Sequence, residues 1–496
     1  MGIIKKQALQ SSVLLYIGTL IGFLTTGLLA PNLLSESEIG TLRLLMSYSA
    51  IFMSISILGI STVTIRFIPQ FYNKKNNRHN GFLGIALLVG TLGLLVSIVL
   101  ILAIKPTIVS NNLDKSPQFA RYFYLILPLT LFQTYYSILD SYNNALYRAS
   151  YGVFLRDFVQ RIFILAALTL VLVHLIDFEI YVYVYVAAIC FPTLLIFLHL
   201  IRHNAIDIRI NTAMLNKPLI SSMVSVSIFG LLNSFSNLAV LQIDTIMVNM
   251  YLDAAAVGIY TITFFFGTLV FIPAKALNKI APTLIAKAYK EKDAEAIRDI
   301  YYKSCGNLYL VGTLILLGLL VNLDNVFHII PDTYEPGRYV IVLIGIANLI
   351  KMAGGTNDSI ITYSKDYKIT TLFLILLGIL VISLNFVFIP LWGMTGAAFA
   401  SLLSLLFYNL GKMIFIWQRF GLNPYNLQYL VVLVIATGIY IGVSLLPIDM
   451  HFIAEIMLDS MLTTLLFYLA IRRMPLAADL DLAIKQVYAK VMGILR

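Results

Sequence analysis

Two charged residues lie inside long apolar stretches of this chain. Asp244 interrupts the stretch LQIDTIMVNMYLDAAAVGIY at 241–260, and Lys351 lies about midway along the apolar stretch 338–361. A charge at membrane depth costs at least about 2.5 kcal/mol, so it normally faces a polar interior and marks a path for ions or substrates. A lysine in that setting can bind an anion, and an aspartate can bind a cation or a proton. Neither residue indicates covalent chemistry.

Lys351 shares its helix face with other polar residues. A continuous helix over 338–361 places five residues in one sector, namely Asn348, Lys351, Gly355, Asp358 and Thr362. Lys351 is too deep to reach either interface easily, so it requires an anion. Asp244 could supply that anion, as could the phosphate of a substrate, and a purely structural buried pair is a further interpretation. We expect Asn348 and Lys351 to contact substrate and Asp358 to take part in ion coupling.

Asp244 also belongs to a polar stripe. Ser222, Asn233, Asn237 and Asp244 fall on one face of the predicted helix 219–249. Four polar groups on one face of a membrane helix are difficult to reconcile with contact to lipid. Either the face borders a lumen, in which Asn233 and Asn237 contact substrate and Asp244 forms a cation site, or it forms a hydrogen-bonding seam between helices, worth about 0.6 kcal/mol per contact.

Three further cations are candidates for binding an anionic substrate. Arg43 begins a stripe of small residues in the second apolar stretch, which either packs closely against another helix or lines a cavity with Arg43 at its outer mouth. Arg66 and Lys279 each precede a proline by three residues, Arg66 at the cytoplasmic end of the same second stretch and Lys279 just after that of the eighth. This correspondence between the two parts of the chain favours an internal repeat.

The composition places these residues in a membrane protein. The chain has 496 residues, of which 60% are hydrophobic and 12% are charged, with a mean hydropathy of +0.90. A soluble protein of this size carries roughly 25% charged residues. Stretches of about 20 apolar residues are long enough to span a bilayer. Fourteen are predicted, at 9–30, 41–66, 82–104, 119–140, 152–175, 181–201, 219–249, 257–275, 304–323, 338–361, 369–389, 396–416, 427–446 and 453–472.

The net charge of +10 is explained by membrane topology. With the N-terminus inside, the alternating loops predicted to be cytoplasmic hold most of the 34 lysines and arginines. This asymmetry predicts that both termini are cytoplasmic. The same charges attract anionic phospholipid, so nucleic acid is not needed as a partner. The apolar stretch that follows the basic residues 1–10 is long enough to span, which argues against a cleaved signal peptide.

The sequence contains no signature of an enzyme or of a metalloprotein. It has no Gly-rich P-loop, no HExxH and no Ser/His/Asp spacing that stands out. The two cysteines indicate neither a disulfide framework nor a metal cluster. We therefore predict a transporter with no catalytic residues and no cofactor other than a coupling ion, sodium or proton. The predicted domains are 1–205, a linker at 206–218, 219–420, two extra spans at 421–472 and an amphipathic tail at 473–496.

Four segments together resemble a known family. APNLLSESEIGTL follows the first span, LQIDTIMVNMYLDAAAVGIY surrounds spans 7 and 8, AYKEKDAEAI lies in a cytoplasmic loop, and IPLWGMTGAAFAS joins spans 11 and 12. In order and spacing they resemble polysaccharide-export flippases, of the O-antigen and capsule type, in the multidrug/oligosaccharidyl-lipid/polysaccharide (MOP) superfamily. The resemblance implies an all-α polytopic membrane protein with two pseudo-symmetric six-helix bundles and two extra C-terminal helices.

The resemblance also implies a function. Such flippases move an undecaprenyl-pyrophosphate-linked oligosaccharide from the inner to the outer leaflet of a bacterial plasma membrane, by alternating access through a cationic cavity. Relatives place a sodium site in the second bundle, for which Asp244, Asn385 and Ser401 are the nearest matches here. A polysaccharide polymerase and chain-length proteins are implied partners. Two alternatives stay open, an ion-coupled antiporter of drugs or organic cations in the same superfamily and a membrane-embedded glycan polymerase or ligase.

Overall fold

Every regular element that the computed structural model describes is helical. The described residues are 14, 17–71, 81–146, 148–204, 206–209, 215–446, 450–479 and 481–482, with no side chains described at 149 and 236–241. The first helices are α1 (Ile17–Leu33), α2 (Glu36–Ser56), α3 (Ile60–Phe67), α4 (Phe82–Asn112), α5 (Pro117–Tyr122), α6 (Ile126–Ala145), α7 (Ala149–Phe154), α8 (Gln160–Leu172) and α9 (Phe178–Arg202). The later helices are α10 (Lys217–Tyr251), α11 (Ala254–Thr268), α12 (Ile272–Glu291), α13 (Ala294–Val321), α14 (Leu323–Ile329), α15 (Arg338–Ala353), α16 (Asn357–Tyr363), α17 (Lys368–Phe420), α18 (Leu427–Ser444) and α19 (Phe452–Ile471).

Polar residues define where the apolar helices begin. Ser35 and Glu38 form a capping box at the start of α2, because each side chain accepts a hydrogen bond from the other residue's backbone N–H. Asp253 acts in the same way at α11, where its Oδ1 accepts from the N–H of Ala256 at 2.7 Å. The polar residues that precede these two helices in the sequence therefore act as helix caps.

Ten described helices are long and apolar enough to cross a membrane. They coincide with eleven of the fourteen predicted spans, because α17 covers two of them. The other three predicted spans fall on shorter or interrupted helices, at 17–33, 117–145 and 149–172. The count of fourteen therefore stays a prediction, whereas the all-helical membrane architecture is confirmed. The predicted tail beyond 482 lies outside the described residues.

The chain divides by packing into two units. Unit 1 comprises Met1–Ile262 together with Gly378–Ala397, and unit 2 comprises Thr263–Leu377 together with Ala398–Arg496. Unit 1 thus includes α10, most of α11 and the middle of α17. The predicted boundary at 206–218 is a division along the chain and stays a prediction.

Each unit has an apolar core of its own. In unit 1, α3, α4 and α6 pack around a cluster that includes Val63, Phe82 and Ile138. In unit 2, α13 packs with α15, α18 and α19 around one cluster that includes Leu310 and Phe467, and α12, α13 and α16 contribute to a second one. The outer faces of α18 and α19 expose large apolar side chains, as expected for helices in contact with lipid.

Several predicted spans are interrupted. Predicted span 2 breaks between α2 and α3, and predicted span 10 breaks at 354–356, between α15 and α16. Predicted spans 11 and 12 are joined in α17, where Gly393 has non-helical angles of φ 58° and ψ −135°. The prediction of one continuous helix over 338–361 is therefore wrong after Ala353. The residues after the break do not continue the predicted sector of that helix.

Candidate functional site

Asp244 is buried in unit 1 and accepts two hydrogen bonds. Its side chain is 5% exposed, Asn385 Nδ2 donates to Oδ1 at 2.6 Å, and Tyr260 Oη donates to Oδ2 at 3.1 Å. The predicted association of Asp244 with Asn385 is thus present, across 141 residues of chain. Tyr260 was not predicted, although it ends the segment 241–260 that drew attention to Asp244. Ser401, the third residue of the predicted ion site, belongs to unit 2.

This group has the chemistry to bind a hard cation or a proton. Asn385 and Tyr260 are both neutral donors, so they orient the carboxylate of Asp244 and bring no positive charge to it. Asn385 Oδ1 is buried and accepts no hydrogen bond from the described residues. A carboxylate beside an unsatisfied amide oxygen offers the oxygen ligands that hard cations prefer. Among the described residues there is no cluster of three or more His, Cys, Asp or Glu side chains that would hold a transition metal.

Arg43 is placed near this group by close contact between two helices. A Cβ atom on Gly40 of α2 would overlap the carbonyl oxygen of Ala254, and one on Gly258 of α11 would overlap that of Glu36. Small residues permit this approach of backbones, as is usual between membrane helices. Gly40 precedes the stripe that begins at Arg43, so the choice between close packing and a cavity along that stripe stays a prediction.

The charge of Arg43 is not cancelled by direct contact. Its guanidinium lies within electrostatic range of Asp244, Tyr185 and Tyr260. It belongs to none of the ion pairs that the described residues form. Ser47, one helical turn later, donates to Gln242 Oε1 at 2.8 Å. The face of α2 that carries Arg43 therefore packs against α10 and leaves the cation available to an anion.

Lys351 lies in the last turn of α15, in unit 2. Its Nζ is 4.4 Å from the centre of the Phe271 ring, and it belongs to none of the ion pairs between described residues. The carbonyl groups at the end of a helix favour a cation by about 0.3–1 kcal/mol. The aromatic face contributes about 0.5–2 kcal/mol. These contacts stabilise the ammonium but leave its N–H donors available.

The helix α15 ends at Ala353, and a turn at 354–356 follows it, held by hydrogen bonds with residues distant in the chain. Gly355 has φ +54°, and a Cβ atom there would lie 2.7 Å from both Ser304 Oγ and Cys305 Sγ. Ser304 Oγ accepts from the N–H of Thr356 at 3.2 Å, and Tyr425 Oη donates to the carbonyl of Ala353 at 3.0 Å. Irregular backbone at membrane depth requires such partners. Interrupted helices of this kind form the binding sites of many transporters.

Asp358 forms an ion pair that the sequence analysis missed. Lys412 of α17 is 1% exposed, and its Nζ lies 2.7 Å from Asp358 Oδ1 and 3.8 Å from the centre of the Tyr408 ring. Lys412 falls within the predicted span 396–416 and was not predicted to belong to a site. The signal was present, since Lys412 lies well inside an apolar stretch. In unit 2 the charged neighbours of Lys351 are Asp358 and Lys412.

Other predicted residues have different surroundings. Asn348 is buried, and its Nδ2 donates to the carbonyls of Ile344 at 2.9 Å and Gly267 at 3.4 Å, so its amide supports helix packing. Arg66 is exposed on α3 and lies over the ring of Phe67 at 5.8 Å. The remaining three were expected to bind substrate: Lys279 is half-buried on α12, Asn233 is half-buried on α10, and the side chain of Asn237 lies outside the described residues.

Unit 1 also contains a small cavity of about 90 Å³ beside Arg156 and Gln160. Their helix is interrupted by a π-helical segment at Leu155–Val159, and the guanidinium of Arg156 lies 5.7 Å from the centre of the Tyr136 ring. Gln133 lines the same cavity. Arg156 and Gln160 therefore line a cavity whose walls are both polar and apolar.

Comparison with known proteins identifies the fold and the family. A family model described as "Polysaccharide biosynthesis protein" matches residues 4–281, which is more than half of the chain. The chain has 12% identity to the solved structure of lipid II flippase MurJ in an inward closed conformation, with a TM-score of 0.64 over 92% of this chain and 99% of that one. An inward-facing multidrug resistance MATE transporter of the MOP superfamily matches with 12% identity and a TM-score of 0.59, over 82% of this chain and 94% of that one.

A third solved structure widens the range of relatives. It is a MOP superfamily transporter from Pyrococcus furiosus, described as having a binding pocket of reverse polarity. It has 13% identity, a TM-score of 0.50, and coverage of 84% of this chain and 96% of that one. A comparison with curated protein sequences finds no match. At these identities the solved structures establish the fold of the MOP superfamily.

Proposed function

The chain belongs to the polysaccharide biosynthesis protein family, and on that premise we propose that it is a flippase for lipid-linked oligosaccharide. The substrate is an oligosaccharide on undecaprenyl pyrophosphate, of the kind used for O-antigen or capsule, which the protein moves from the inner to the outer leaflet of a bacterial plasma membrane. The termini are cytoplasmic in this proposal. No reaction that forms or breaks a covalent bond is required.

Lys351 is the observation that carries the proposal. A diphosphate and its sugars cannot cross hydrocarbon unaided, because each desolvated polar group costs several kcal/mol. Lys351 offers an ammonium at a helix break inside an apolar span, with an aromatic ring and no ion pair among the described residues. Arg43 offers a second such cation in unit 1. Cations that are held without an internal anion suit a substrate that brings its own negative charge.

Alternating access explains how the substrate crosses. In transporters built from repeats, two parts of the protein expose one binding site first to one side of the membrane and then to the other. The diphosphate and sugars would occupy the polar interior, while the prenyl chain stays in lipid. Arg66 and Lys279, near the predicted cytoplasmic ends of their helices, would attract the anionic head before it enters.

Asp244 would couple this movement to an ion gradient. Its two neutral donors and the unsatisfied Asn385 Oδ1 suit sodium, and a proton on the carboxylate would serve the same purpose. Tyr260 would keep the carboxylate oriented in both loading states. Binding of the ion neutralises a buried charge, and an ion that binds one conformation better shifts the equilibrium towards it.

The second candidate function is ion-coupled export of organic cations. The buried carboxylate of Asp244 favours it, because such a substrate would require a negative charge in the binding site. The fold is shared with multidrug transporters, so fold alone does not separate the two functions. Lys351, which has no ion-pair partner among the described residues, opposes this second function, since a cation in the path would repel the substrate.

Reconstituted protein distinguishes the two. A fluorescent prenyl-diphosphate oligosaccharide in the inner leaflet of liposomes is scored by its exposure to an impermeant outside reagent, with and without a sodium or proton gradient. We expect wild type to translocate it and Lys351→Ala to reduce the rate at low substrate by about 10- to 100-fold, from the 1.5–3 kcal/mol of a charged hydrogen bond.

A surface lysine provides the matched control. Lys303 is exposed and paired with Asp299 at 2.9 Å, so Lys303→Ala should leave the rate unchanged. Lys351→Arg should retain part of the activity, because it keeps the charge. Exchange of organic cations for sodium or protons, with no movement of the lipid-linked sugar, would establish the antiporter function instead.

A further inference from the structure

In unit 2 the carboxylate of Asp358 is paired with one lysine and follows a second lysine across a helix break. Asp358 pairs with Lys412 at 2.7 Å, and Lys351 lies in the last turn of the helix that precedes Asp358, on the other side of the turn at 354–356. The three residues come from three elements, since Lys351 ends α15, Asp358 begins α16 and Lys412 lies in α17. The helix break at 354–356 brings the first two together on either side of one turn. The group therefore has two positive charges and one negative charge.

The two members of the ion pair differ sharply in exposure. The side chain of Lys412 is 1% exposed, whereas that of Asp358 is 58% exposed. A buried ammonium requires an anion, since removal of one partner from a buried pair typically costs about 3–5 kcal/mol. Lys412 is fixed in a long helix, with the ring of Tyr408 against it. Asp358, by contrast, approaches from an open side, on a helix of seven residues with turns at both ends.

We propose that Asp358 occupies an anion site formed by Lys351 and Lys412, and that the diphosphate of the substrate displaces it. The inference rests on the proposed function and assigns Lys412 as a second phosphate contact. Displacement of Asp358 leaves two ammonium groups for the two charges of a diphosphate diester. It also keeps Lys412 paired at every stage, because one anion replaces another. The carboxylate acts as a built-in competitor that excludes weaker anions.

Geometry supports the exchange. The carboxylate oxygen already lies at hydrogen-bonding distance from Lys412, and a phosphate oxygen that replaces it would make an equivalent charge-assisted contact. Because Asp358 is more than half exposed, it can leave without crossing the core. Lys351 makes no ion pair with the described residues, so its donors are available to the second phosphate.

The test measures binding of a soluble probe, separately from transport. Purified full-length protein in detergent is titrated by calorimetry with a short-chain prenyl diphosphate, and with the corresponding prenyl alcohol as the uncharged control. We expect Asp358→Asn to tighten the Kd for the diphosphate by about tenfold, because it removes the competitor. Lys412→Met should weaken it by about tenfold, and the alcohol should be unaffected by either change.

Two further variants complete the design. The double variant Asp358→Asn with Lys412→Met leaves no unpaired buried charge, so it should fold and bind as weakly as Lys412→Met alone. Asp366 pairs with Arg419 at 2.8 Å in the same unit, and Asp366→Asn should not change the Kd, which excludes a general effect of net charge. If Asp358→Asn is unstable alone, the diphosphate added during purification should restore it, and failure of that rescue contradicts the proposal.

The outcomes separate this inference from the proposed function. An unchanged or weaker Kd for Asp358→Asn means that the aspartate is only a structural partner of Lys412, and the inference is then wrong even if Lys351-dependent translocation is observed. If Asp358→Asn binds the diphosphate more tightly than wild type and Lys412→Met binds it more weakly, the anion site is supported. If the same protein moves no lipid-linked sugar in liposomes, the flippase function is contradicted.

Discussion

Substitution of Gly355 tests the turn that separates α15 from α16. With φ +54° this glycine has a left-handed conformation, which costs an L-residue about 1–2 kcal/mol. A Cβ atom at that position would lie 2.7 Å from Ser304 Oγ and 2.8 Å from the backbone N of Cys305. Side chains can move slightly but that backbone atom lies within α13, so crowding adds about 1–3 kcal/mol. Gly355→Ala should therefore destabilise the protein by about 2–5 kcal/mol in total.

Two other glycines separate the cost of the left-handed backbone conformation from the cost of crowding around the added Cβ atom. Gly421 has φ +68° with no neighbouring atom within 4 Å, so Gly421→Ala carries the backbone cost alone. Gly378 lies in the helical part of α17, also with nothing within 4 Å, and Gly378→Ala should be neutral or stabilise the helix by up to about 1 kcal/mol. The expected order of thermal midpoints is Gly378→Ala highest, then Gly421→Ala, then Gly355→Ala.

The assay is thermal unfolding of purified protein in one detergent at a fixed scan rate, because unfolding of such proteins is commonly irreversible. Binding of the prenyl diphosphate probe provides a second measurement, since a disturbed turn moves Lys351 relative to Asp358. A midpoint for Gly355→Ala equal to that of Gly378→Ala would refute the reasoning. In that case α15 and α16 would form one continuous helix through 354–356.

The remaining predictions concern unit 1. Asp244→Asn should abolish the dependence of transport on an ion gradient, and equal gradient dependence in wild type and this variant would contradict the coupling role of Asp244. Tyr260→Phe should weaken ion affinity by about tenfold, as the loss of one hydrogen bond to the carboxylate predicts. Ser116 Oγ donates to Asn249 Oδ1 at 2.9 Å and accepts from the N–H of Ala254 at 2.9 Å, so Ser116→Ala should lower stability by about 1–3 kcal/mol. Thermal unfolding checks this, and an unchanged Kd for the prenyl diphosphate serves as the control.

Some features of this protein follow from the sequence because they depend on local composition. Apolar length decides which segments can span a membrane, and helix is the element that satisfies its backbone within one segment. Polar caps such as that of Ser35 are local too. The cost of a buried charge singled out Asp244 and Lys351 without knowledge of their neighbours. The pairing of Asp244 with Asn385 was expected from family resemblance and is present in the structure.

The tertiary structure decided where the helices break and which charges meet. Periodicity predicts one continuous helix through Gly355, since nothing within 338–361 shows that Ser304 and Tyr425 will satisfy the backbone groups released by a break. The same reason explains why Asn348, which looked like a ligand, donates to backbone carbonyls. It also explains why Lys412 was overlooked, because its partner Asp358 is 54 residues away in the chain. Interactions over such separations are decided by packing, which a pattern within one segment does not contain.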